Sequence, residues 1–500
     1  MNGYDYVVVG AGTAGCVLAA RLSENPAARI LLLEAGGSGP QDLIRRPAAW
    51  PRLVGGAADW GSVTTPQADA GPRPYPRGRV LGGSGAINAM AHLRGHRGVY
   101  DAWAASGAPG WSHADLLPYF KRSEHAEGRD PSTRGTSGPV RVAPAHEDSR
   151  HPAARAFAEA LCALGFPVTS DLSGTSPEGV AWPDLAIADG QRVSPADAYL
   201  SPALSRPNLT VQPGAQVRRL TIQGNRCAGV SYLLAGGVAE ASAGEVVVCA
   251  GAVGSPQLLL LSGIGPAAEL QALGISPVAD LPGVGENLHD HPVVTLSYTS
   301  ATALPASRYN HGETYAALRS PLAGDWPDLH LFPILVPSAP PGYQPPSAGF
   351  TLAAAVMAPD SRGMVRLASA DPAAAPLIDP GFLRAGRDTD RLGAGLSILR
   401  SAAAGSVFTR LAVTEVIPGP GDRELTRYIR RTVGSYFHPA GTCRMGADEH
   451  AVTDPADLSV RQIAGLRVAD ASVFPLIPNA PLNATVLAVA EKAADLITRP

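Results

Sequence analysis

The first apolar runs of the chain predict a strand, a helix and a second strand in direct succession. Residues Tyr4–Val9 are apolar and rich in β-branched side chains, as in a strand that is buried on both faces. A helical stretch follows from Cys16 to Leu22, and a second apolar run from Arg29 to Leu33 ends at Glu34. This order is typical of the unit that begins a parallel sheet.

Further apolar runs and two amphipathic stretches lie later in the chain. The strands predicted beyond residue 207 are Leu209–Val211, Val217–Ile222, Gly229–Leu234, Glu245–Cys249 and Leu466–Ala469. Helical periodicity runs from His151 to Leu164 and from about Ala484 to Ile497. Between residues 296 and 370, short alternating runs are separated by Pro and Gly, which predicts an antiparallel sheet. Residues 36–80 have little periodicity, and we expect a long ordered excursion there.

The turn after the first strand has the glycine spacing of a dinucleotide-binding motif. Gly10 allows the tight turn, Gly12 lets the backbone approach a pyrophosphate, and Gly15 allows the helix to pack closely on the strand. The N-terminus of that helix attracts phosphate charge. Glu34 follows Gly15 by nineteen residues, where a carboxylate binds ribose hydroxyls and disfavours a 2′-phosphate. Glycines also occur in ordinary turns, but this order of elements favours binding of FAD or NAD.

Composition and charge limit the classes of protein to which the chain can belong. Of 500 residues, 45% are hydrophobic and 17% charged, which indicates a globular chain with a large core. The net charge of -3 argues against nucleic acid as a partner, because nucleic-acid binding usually needs a basic face. The most apolar stretch, residues 246–264, is interrupted by Gly and Pro, so we expect no membrane span.

The cysteines and the N-terminus favour a cytoplasmic enzyme. The five cysteines are Cys16, Cys162, Cys227, Cys249 and Cys443. They are scattered and have no CxxC spacing, so a disulfide framework or a zinc site is not expected. Because the predicted first strand begins within the first ten residues, we expect no signal peptide.

Two other local patterns are candidate sites. The dense glycine loop Gly78–Asn88 lets backbone amides approach a flat or anionic ligand, whereas a purely flexible loop would not need its apolar residues. His289 and His291 could lie on one face of a strand, but no third ligand is near them in the sequence. We therefore predict no metal site. The chain contains no GxSxG nucleophile elbow, which leaves a serine hydrolase without support.

Three separated blocks resemble signatures of the glucose–methanol–choline (GMC) oxidoreductase family. The blocks are Gly78–Asn88 with Arg94, Gly95 and Asp101; Gly251–Gly265; and Tyr436–Gly446, followed by Val468–Ser472 and Asn483–Thr485. With the N-terminal motif they extend over nearly the whole chain. The resemblance therefore concerns the chain as a whole.

The resemblance implies an α/β fold, in which a doubly wound, discontinuous FAD-binding domain accompanies a substrate domain built on an antiparallel sheet. We expect residues 1–138, 191–296 and 432–500 to form the FAD-binding domain. Residues 139–190 and 297–431 are then expected to form the substrate-binding domain.

Carried over position by position, the resemblance also implies the contacts with FAD. The residues concerned are Gly10, Gly12, Thr13, Ala14, Gly15, Glu34, Ala35, Gly83, Ser84, Asn88, Val217, Asp470 and Asn483. Gly83 and Asn88 are expected to face the flavin, and the backbone of Val217 to meet the adenine. Asp470 is expected near the ribityl–pyrophosphate region.

The chain departs from the family's pattern at two positions. Some members link flavin covalently through a histidine in the first loop, where this chain has Ile87, so we expect non-covalent FAD. His92 stands where the family usually has an aromatic residue or Ala, and we expect a local change of packing there.

The resemblance assigns the alcohol chemistry to two residues near the end of the chain. His438 matches the family's base, which takes the hydroxyl proton while hydride passes to flavin N5. Asn483 matches the second active-site position, where an amide can donate to and accept from the hydroxyl. Each residue has a plainer alternative: a buried histidine bonded to backbone, and the N-cap of the last helix. Turnover is expected to rise with pH through the ionisation of His438.

The implied function is oxidation of a small or medium primary alcohol to the aldehyde by an FAD-dependent oxidase or dehydrogenase acting on CH–OH donors. Similarity to compact bacterial members favours an aryl or furanic alcohol. The expected partners are this small-molecule substrate and an electron acceptor, either O2 or another acceptor. Two alternatives stay open: a flavin-containing hydroxynitrile lyase without redox chemistry, and a choline-type dehydrogenase.

Overall fold

The strand–helix–strand unit predicted at the N-terminus lies in the middle of a seven-stranded sheet in the computed structural model, which describes residues 3–175, 177–421 and 424–499. Strand Tyr4–Val9 pairs in parallel with Ile30–Glu34 and, on its other side, with Gly237–Val248. The helix between them is Thr13–Leu22, which begins three residues before the predicted Cys16. Gly15 therefore lies in the first turn of the helix, not ahead of it.

The long strand Gly237–Val248 joins two arrangements within this sheet. Its second half is parallel to Tyr4–Val9 and to Leu466–Val468, and its first half is antiparallel to Arg226–Leu234. The sheet order is Leu209–Pro213, Ile30–Glu34, Tyr4–Val9, Gly237–Val248, Arg226–Leu234 and Gln216–Gln223, with Leu466–Val468 beside Gly237–Val248. The predicted strand Glu245–Cys249 is thus the buried end of a longer strand, where apolar side chains are covered on both faces.

The second seven-stranded sheet is antiparallel throughout, as the alternating runs predicted. Its order is Val413–Ile417, Pro292–Ser300, Phe350–Val356, Leu329–Ile334, Tyr315–Leu318 and Gly179–Ala181, with Gly434–Ser435 beside Pro292–Ser300. Segments far apart in sequence therefore meet in this sheet. The division of the chain into domains stays a prediction, and two of these strands, Pro292–Ser300 and Gly434–Ser435, lie at its predicted boundaries.

Alternation along these strands gives the second sheet two different faces. Leu318, Leu329 and Leu331 pack with helices Pro152–Ala163 and Gly386–Ala403. Side chains one position away, such as Tyr315 and Phe332, belong to a separate cluster on the opposite face. That second face is the one that meets the large cavity described below.

The remaining helices and strands complete the fold around the two sheets. The other α-helices are Gln41–Arg45, Ser84–Ile87, Arg97–Ala105, His113–Ser123, Ser201–Ala203, Gly251–Leu261, Ala267–Ala272, Ser406–Thr409, Leu425–Thr432 and Asn483–Thr498. Helices of other types are Pro47–Arg52, Glu147–Ser149, Ala196–Leu200 and Ala471–Val473. Two-stranded sheets pair Glu124–Ala126 with Val140–Val142, Ile187–Ala188 with Gln191–Arg192, Ile264–Gly265 with Ala279–Asp280, and Met364–Arg366 with Leu377–Asp379. Within the described ranges, no helix is long and apolar enough to cross a membrane.

His92, one of the two positions at which the chain departs from the family pattern, belongs to a buried polar cluster. Its Nε2 lies 2.9 Å from a carboxylate oxygen of Glu124. Arg94 and Arg134 donate to the same carboxylate. The histidine is therefore accommodated by an acidic partner that an aromatic residue or Ala would not use.

Candidate active site

A cavity of about 760 Å³ extends from the carboxyl ends of the parallel strands to the antiparallel sheet. This volume lies in the range typical of cofactor and small-molecule sites. The predicted site residues that line it are Gly10, Gly12, Thr13, Ala14, Glu34, Ala35, Gly83, Ser84, Asn88, Val217, His438, Asp470 and Asn483. Gly15 does not line the cavity. We call the part around Glu34 and Val217 the nucleotide end, and the part around His438 and Asn483 the substrate end.

Glu34 ends its strand with a buried carboxylate that is held by backbone. One oxygen accepts the N–H of Ala11 at 2.9 Å, and the other accepts the N–H of Gly36 at 2.8 Å. Burial raises the pKa of Glu34, and these two hydrogen bonds act in the opposite direction. Each oxygen retains a further lone pair, so the carboxylate can still accept from ribose hydroxyls.

Two glycines of the N-terminal motif lack side chains for different reasons. A Cβ at Gly15 would lie 1.8 Å from the carbonyl oxygen of Gly10, so the fold itself requires glycine there. A Cβ at Gly12 would meet protein atoms only at 4.0 Å and would occupy cavity space instead. Gly12 therefore leaves a backbone surface open to a ligand, as a bound pyrophosphate needs.

Asp470 follows strand Leu466–Val468, and its side chain hydrogen-bonds to the helix Gly251–Leu261. Its carboxylate accepts from the N–H of Gly251 at 2.7 Å and from the hydroxyl of Ser255 at 2.6 Å. Burial raises the pKa of Asp470, while these bonds and those from Ser472 lower it. Asp470 therefore lines the cavity with a carboxylate that hydrogen bonds hold in place.

The glycine-rich loop Gly78–Asn88 forms part of the cavity wall. It includes the short helix Ser84–Ile87, and the hydroxyl of Ser84 accepts the N–H of Gly78. The side-chain carbonyl of Asn88 accepts from the N–H of Met90 and from Arg192, so its NH2 group is the part left for a ligand. Ile87 is 4% exposed and carries no atom that could bond covalently to flavin.

These features fit a dinucleotide such as FAD. The backbone opening at Gly12, the spare lone pairs of Glu34 and the helix N-terminus at Thr13 lie along one wall of the cavity. They are the groups that would hold the adenosine and pyrophosphate portions.

His438 lies in a turn that is fixed from two sides. The carboxylate of Asp290 accepts the backbone N–H of His438 at 2.8 Å and also the hydroxyl of Ser435. Arg77 donates to the carbonyl oxygen of Phe437 at 2.7 Å, and Phe437 itself has a φ of +69°. The position of the histidine backbone is therefore determined by a side-chain carboxylate and a guanidinium group.

The ring of His438 bonds to another histidine. Its Nδ1 lies 2.9 Å from Nδ1 of His291, which leaves Nε2 for the cavity. Burial lowers the pKa of His438 to about 3, with further lowering by the charges of Arg77 and His330. The ring is therefore neutral at working pH and can accept a proton. The plainer alternative, a histidine bonded to backbone through its ring, does not describe its contacts.

Asn483 is the first residue of the helix Asn483–Thr498, and the N-cap position belongs to Leu482. The side chain does not cap the helix, as the plainer alternative supposed. Its Oδ1 accepts the hydroxyl of Thr13 at 2.8 Å. Because Asn483 lines the cavity and Thr13 occupies its oxygen, Nδ2 is the group that can donate to a substrate oxygen.

Aromatic rings from the antiparallel sheet line the substrate end. Tyr315 and Phe332 have ring centroids 5.2 Å apart at an interplanar angle of 19°, and Phe332 and Tyr436 are 4.8 Å apart at 12°. Tyr436 in turn lies 4.5 Å from the ring of His438. We call Tyr315, Phe332 and Tyr436 the aromatic tier. Of the acidic residues in the described ranges, those lining the cavity are Glu34 and Asp470, both outside the substrate end.

The sequence did not reveal His291 or the aromatic tier as parts of the site. The sequence pattern suggested His291 only as a metal ligand with His289, and the described residues contain no group of three or more side chains suited to a metal. The Asp-His-Pro run at residues 290–292, next to a strand, was the signal available for His291. The spacing of Tyr315 and Phe332 indicated strands but not which face meets a ligand.

Comparison with known proteins gives the same assignment over the whole chain. Family models described as GMC oxidoreductase match residues 4–293 and 359–490. An oxygen-dependent choline dehydrogenase of Photobacterium profundum is 38% identical over 99% of this chain and 93% of its own length. The crystal structure of pyridoxine 4-oxidase from Mesorbium loti has a TM-score of 0.94 and 37% identity, covering 98% of both chains. A fungal aryl-alcohol oxidase structure has a TM-score of 0.84 and 26% identity, covering 99% of both chains.

The matches cover both sheets and both ends of the cavity, and each of these relatives is an oxidoreductase by name. They also agree with the fold predicted from the sequence, an FAD-binding unit of the doubly wound type with an antiparallel substrate sheet. The chain belongs to the GMC oxidoreductase family and is an FAD-dependent enzyme that oxidises CH–OH donors.

Proposed function

We propose that this enzyme oxidises primary alcohols carried on an aromatic or heteroaromatic ring to the aldehydes. The observation that carries the proposal is the aromatic tier, which leads directly to His438 at an end of the cavity where the described residues contribute no acidic side chain to the lining. Because these rings are stacked on one another, a flat ligand ring can pack against their edges, and its hydroxymethyl group would then lie beside the imidazole. The relatives named pyridoxine 4-oxidase and aryl-alcohol oxidase support this substrate class.

In the proposed reaction, Nε2 of His438 takes the proton of the substrate hydroxyl. Nδ2 of Asn483 donates to the same oxygen, which holds it in place and stabilises negative charge that develops there. When bound, FAD supplies the acceptor for the hydride of the carbinol carbon. The alcohol thus loses one proton to His438 and one hydride, and the C–O single bond becomes a carbonyl group.

The predicted contacts with the cofactor belong to the same proposal. The residues proposed to hold FAD are the predicted cofactor residues that line the cavity. Gly15, which does not line it, contributes by letting the first helix pack closely on the preceding turn. Because Ile87 offers no covalent attachment, we propose that FAD is dissociable, which release of flavin on acid precipitation would test. We also propose that the electron acceptor is O2 or another acceptor. The proposed location is cytoplasmic.

Oxidation of choline is the second candidate. Its support is the 38% identity to choline dehydrogenases over 99% of the chain, together with rings that can attract a quaternary ammonium group. The substrate end has no carboxylate in the described residues to balance that charge, and we therefore rank choline below aryl alcohols. A hydroxynitrile lyase is not proposed, because the family and the named relatives are oxidoreductases.

The test is anaerobic bleaching of the holoenzyme's flavin by matched pairs of alcohols. Benzyl alcohol and pyridylmethanol are compared with cyclohexylmethanol, and choline with its uncharged carbon analogue 3,3-dimethylbutan-1-ol. The dependence of the bleaching rate on concentration gives the dissociation constant, which separates binding from the intrinsic reactivity of benzylic carbon.

We expect tighter binding of the flat rings than of cyclohexylmethanol. Tighter binding of choline than of its analogue would select choline instead, and no bleaching by any alcohol would overturn the proposal. Admission of air then distinguishes an oxidase from a dehydrogenase.

A further inference from the structure

His291 lies directly behind the proposed base and is itself fully buried. Its side chain is inaccessible, and its Nδ1 meets Nδ1 of His438 at 2.9 Å, with the two rings nearly perpendicular at 83°. We propose that His291 is a positioning residue that sets the tautomer of His438 and shares the proton that His438 takes from the substrate. This inference rests on the proposed function, in which His438 is the base.

The contact between two Nδ1 atoms allows only one proton between them. If His438 carries it, Nδ1 of His291 accepts, and Nε2 of His438 is a bare lone pair that faces the cavity. If His291 carries it, Nε2 of His438 holds a proton and cannot act as a base. The tautomer of His291 therefore decides whether His438 can accept the hydroxyl proton.

The surroundings of His291 favour the arrangement in which Nδ1 of His438 carries the shared proton and Nε2 of His438 is free to act as a base. In that arrangement Nε2 of His291 carries the second proton of its ring. This atom is buried without a well-formed hydrogen bond, and the carbonyl group of Pro478 is close enough to raise the pKa of the ring against the larger, lowering effect of burial. A carbonyl group can accept a hydrogen bond but cannot donate one, so it favours the tautomer with hydrogen on Nε2.

The backbone holds the two histidines in register. One oxygen of Asp290 accepts the N–H of His291 and the N–H of His438, each at 2.8 Å. A single carboxylate atom thus ties together two segments that are 147 residues apart in sequence. The distance between the rings is a consequence of this shared anchor, not of a flexible surface contact.

The groups that surround the His291–His438 pair are mostly uncharged rings. Facing His291 are the rings of His438, His330, His289 and Tyr436, and Arg77 acts on His438. After His438 takes the hydroxyl proton at Nε2, its Nδ1 proton can move to Nδ1 of His291. No other bond changes, and the positive charge is then shared by two rings.

Three variants of His291 separate this role from simple packing. Asn places an oxygen where Nδ1 stands and keeps the acceptor, whereas Gln places its polar group farther out and Leu removes it. Because the Leu side chain cannot accept from His438, we expect His291→Leu to lower the limiting rate of flavin reduction roughly 10- to 100-fold, with little change in the dissociation constant of the alcohol. His291→Asn should recover to within a few-fold of the original rate, and His291→Gln should not.

The matched control is His289→Leu, because His289 is equally buried in the same segment but its ring bonds to the carbonyl of Asn287 and not to His438. This control should leave the rate unchanged. In His291→Leu, the solvent deuterium isotope effect on flavin reduction should increase, since proton transfer becomes slower. Equal rates for the Asn and Leu variants, or an unchanged isotope effect, would overturn the role of His291.

A measurement on the unaltered holoenzyme decides the question if the variants do not fold. ¹⁵N-histidine NMR, with His438 assigned by its loss in His438→Gln, reports which ring nitrogen carries hydrogen. We expect hydrogen on Nδ1 of His438 and on Nε2 of His291, and the opposite pair would contradict the proposal. If the original enzyme is not bleached by any alcohol, the proposed function fails first. If it is bleached and the variants behave alike, only the role of His291 fails.

Discussion

The two ends of the cavity are built by different parts of the chain. At the nucleotide end, backbone groups of the N-terminal segment that ends at Glu34 form much of the cavity wall, and Val217 adds to it from another strand. At the substrate end, the surface consists of side chains from segments far apart in sequence, among them Tyr315, Phe332 and Asn483. A surface made by backbone requires glycines at fixed spacing, so it leaves a readable motif. A surface made by side chains depends on which strand faces meet, and no local pattern records that.

The ends also differ in how charge is arranged. The nucleotide end holds buried carboxylates whose hydrogen bonds come from backbone and hydroxyl groups. The substrate end holds imidazole rings that burial keeps neutral, including His438 and His291. The first arrangement suits recognition of a fixed polar group, whereas the second can take up a proton and release it.

Removal of the base is the sharpest way to separate the two ends. We expect His438→Ala to lower the rate of flavin reduction by about 10²- to 10⁴-fold, because general-base catalysis is lost. FAD content, measured by absorbance of the purified protein, should be unchanged, since the nucleotide end is intact. Loss of FAD together with activity would mean that the two ends do not act separately.

The reciprocal change fills the backbone opening at the nucleotide end. A methyl group at Gly12 would project into the cavity without touching protein, so Gly12→Ala should weaken FAD binding about tenfold or more while the fold persists. Titration of the apoenzyme with FAD measures this. Gly37→Ala is the control, because a Cβ there meets nothing within 4 Å and the residue does not line the cavity. Equal affinity of the two variants for FAD would contradict the assignment of Gly12.

A smaller change tests the aromatic tier. Phe332→Leu keeps an apolar side chain but removes the central ring, and we expect the preference for benzyl alcohol over cyclohexylmethanol to fall roughly three- to tenfold. The ratio of the two dissociation constants, obtained from flavin bleaching, measures the preference. FAD affinity should not change. An unaltered ratio would mean that substrates do not pack against this surface.

The smallest expected effect is that of pH. The neutral form of His438 is the proposed base, so the rate is expected to rise with pH through its pKa and to be flat above it. Because burial lowers that pKa to about 3, flavin reduction by a neutral alcohol should change less than about twofold between pH 8 and about pH 5. Stopped-flow rates across this range test it. A rise centred near the ordinary pKa of histidine would mean that the ring is well solvated in the working enzyme.

Sequence patterns gave the parallel unit and its dinucleotide motif because both depend on neighbouring residues. Tyr4–Val9 was predicted with its observed bounds, while the following helix begins at Thr13 because Ala14 and Gly15 fit its first turn. His438 and Asn483 came from the family resemblance and not from local chemistry. His291 could not be recognised, since its partner lies 147 residues away and only the folded chain brings the two Nδ1 atoms together.

The hydrogen bond between Thr13 and Asn483 links the first helix of the chain to its last one, and the two helices pack against each other. Synthesis on the ribosome proceeds from the N-terminus at about 5–20 residues per second, so roughly 20–90 s separate residue 34 from residue 483. During that interval the nucleotide motif exists without Asn483, and Thr13 lacks its acceptor. The proposed active site is therefore assembled only at the end of translation, and a chain that stops before residue 483 would present the N-terminal motif without Asn483.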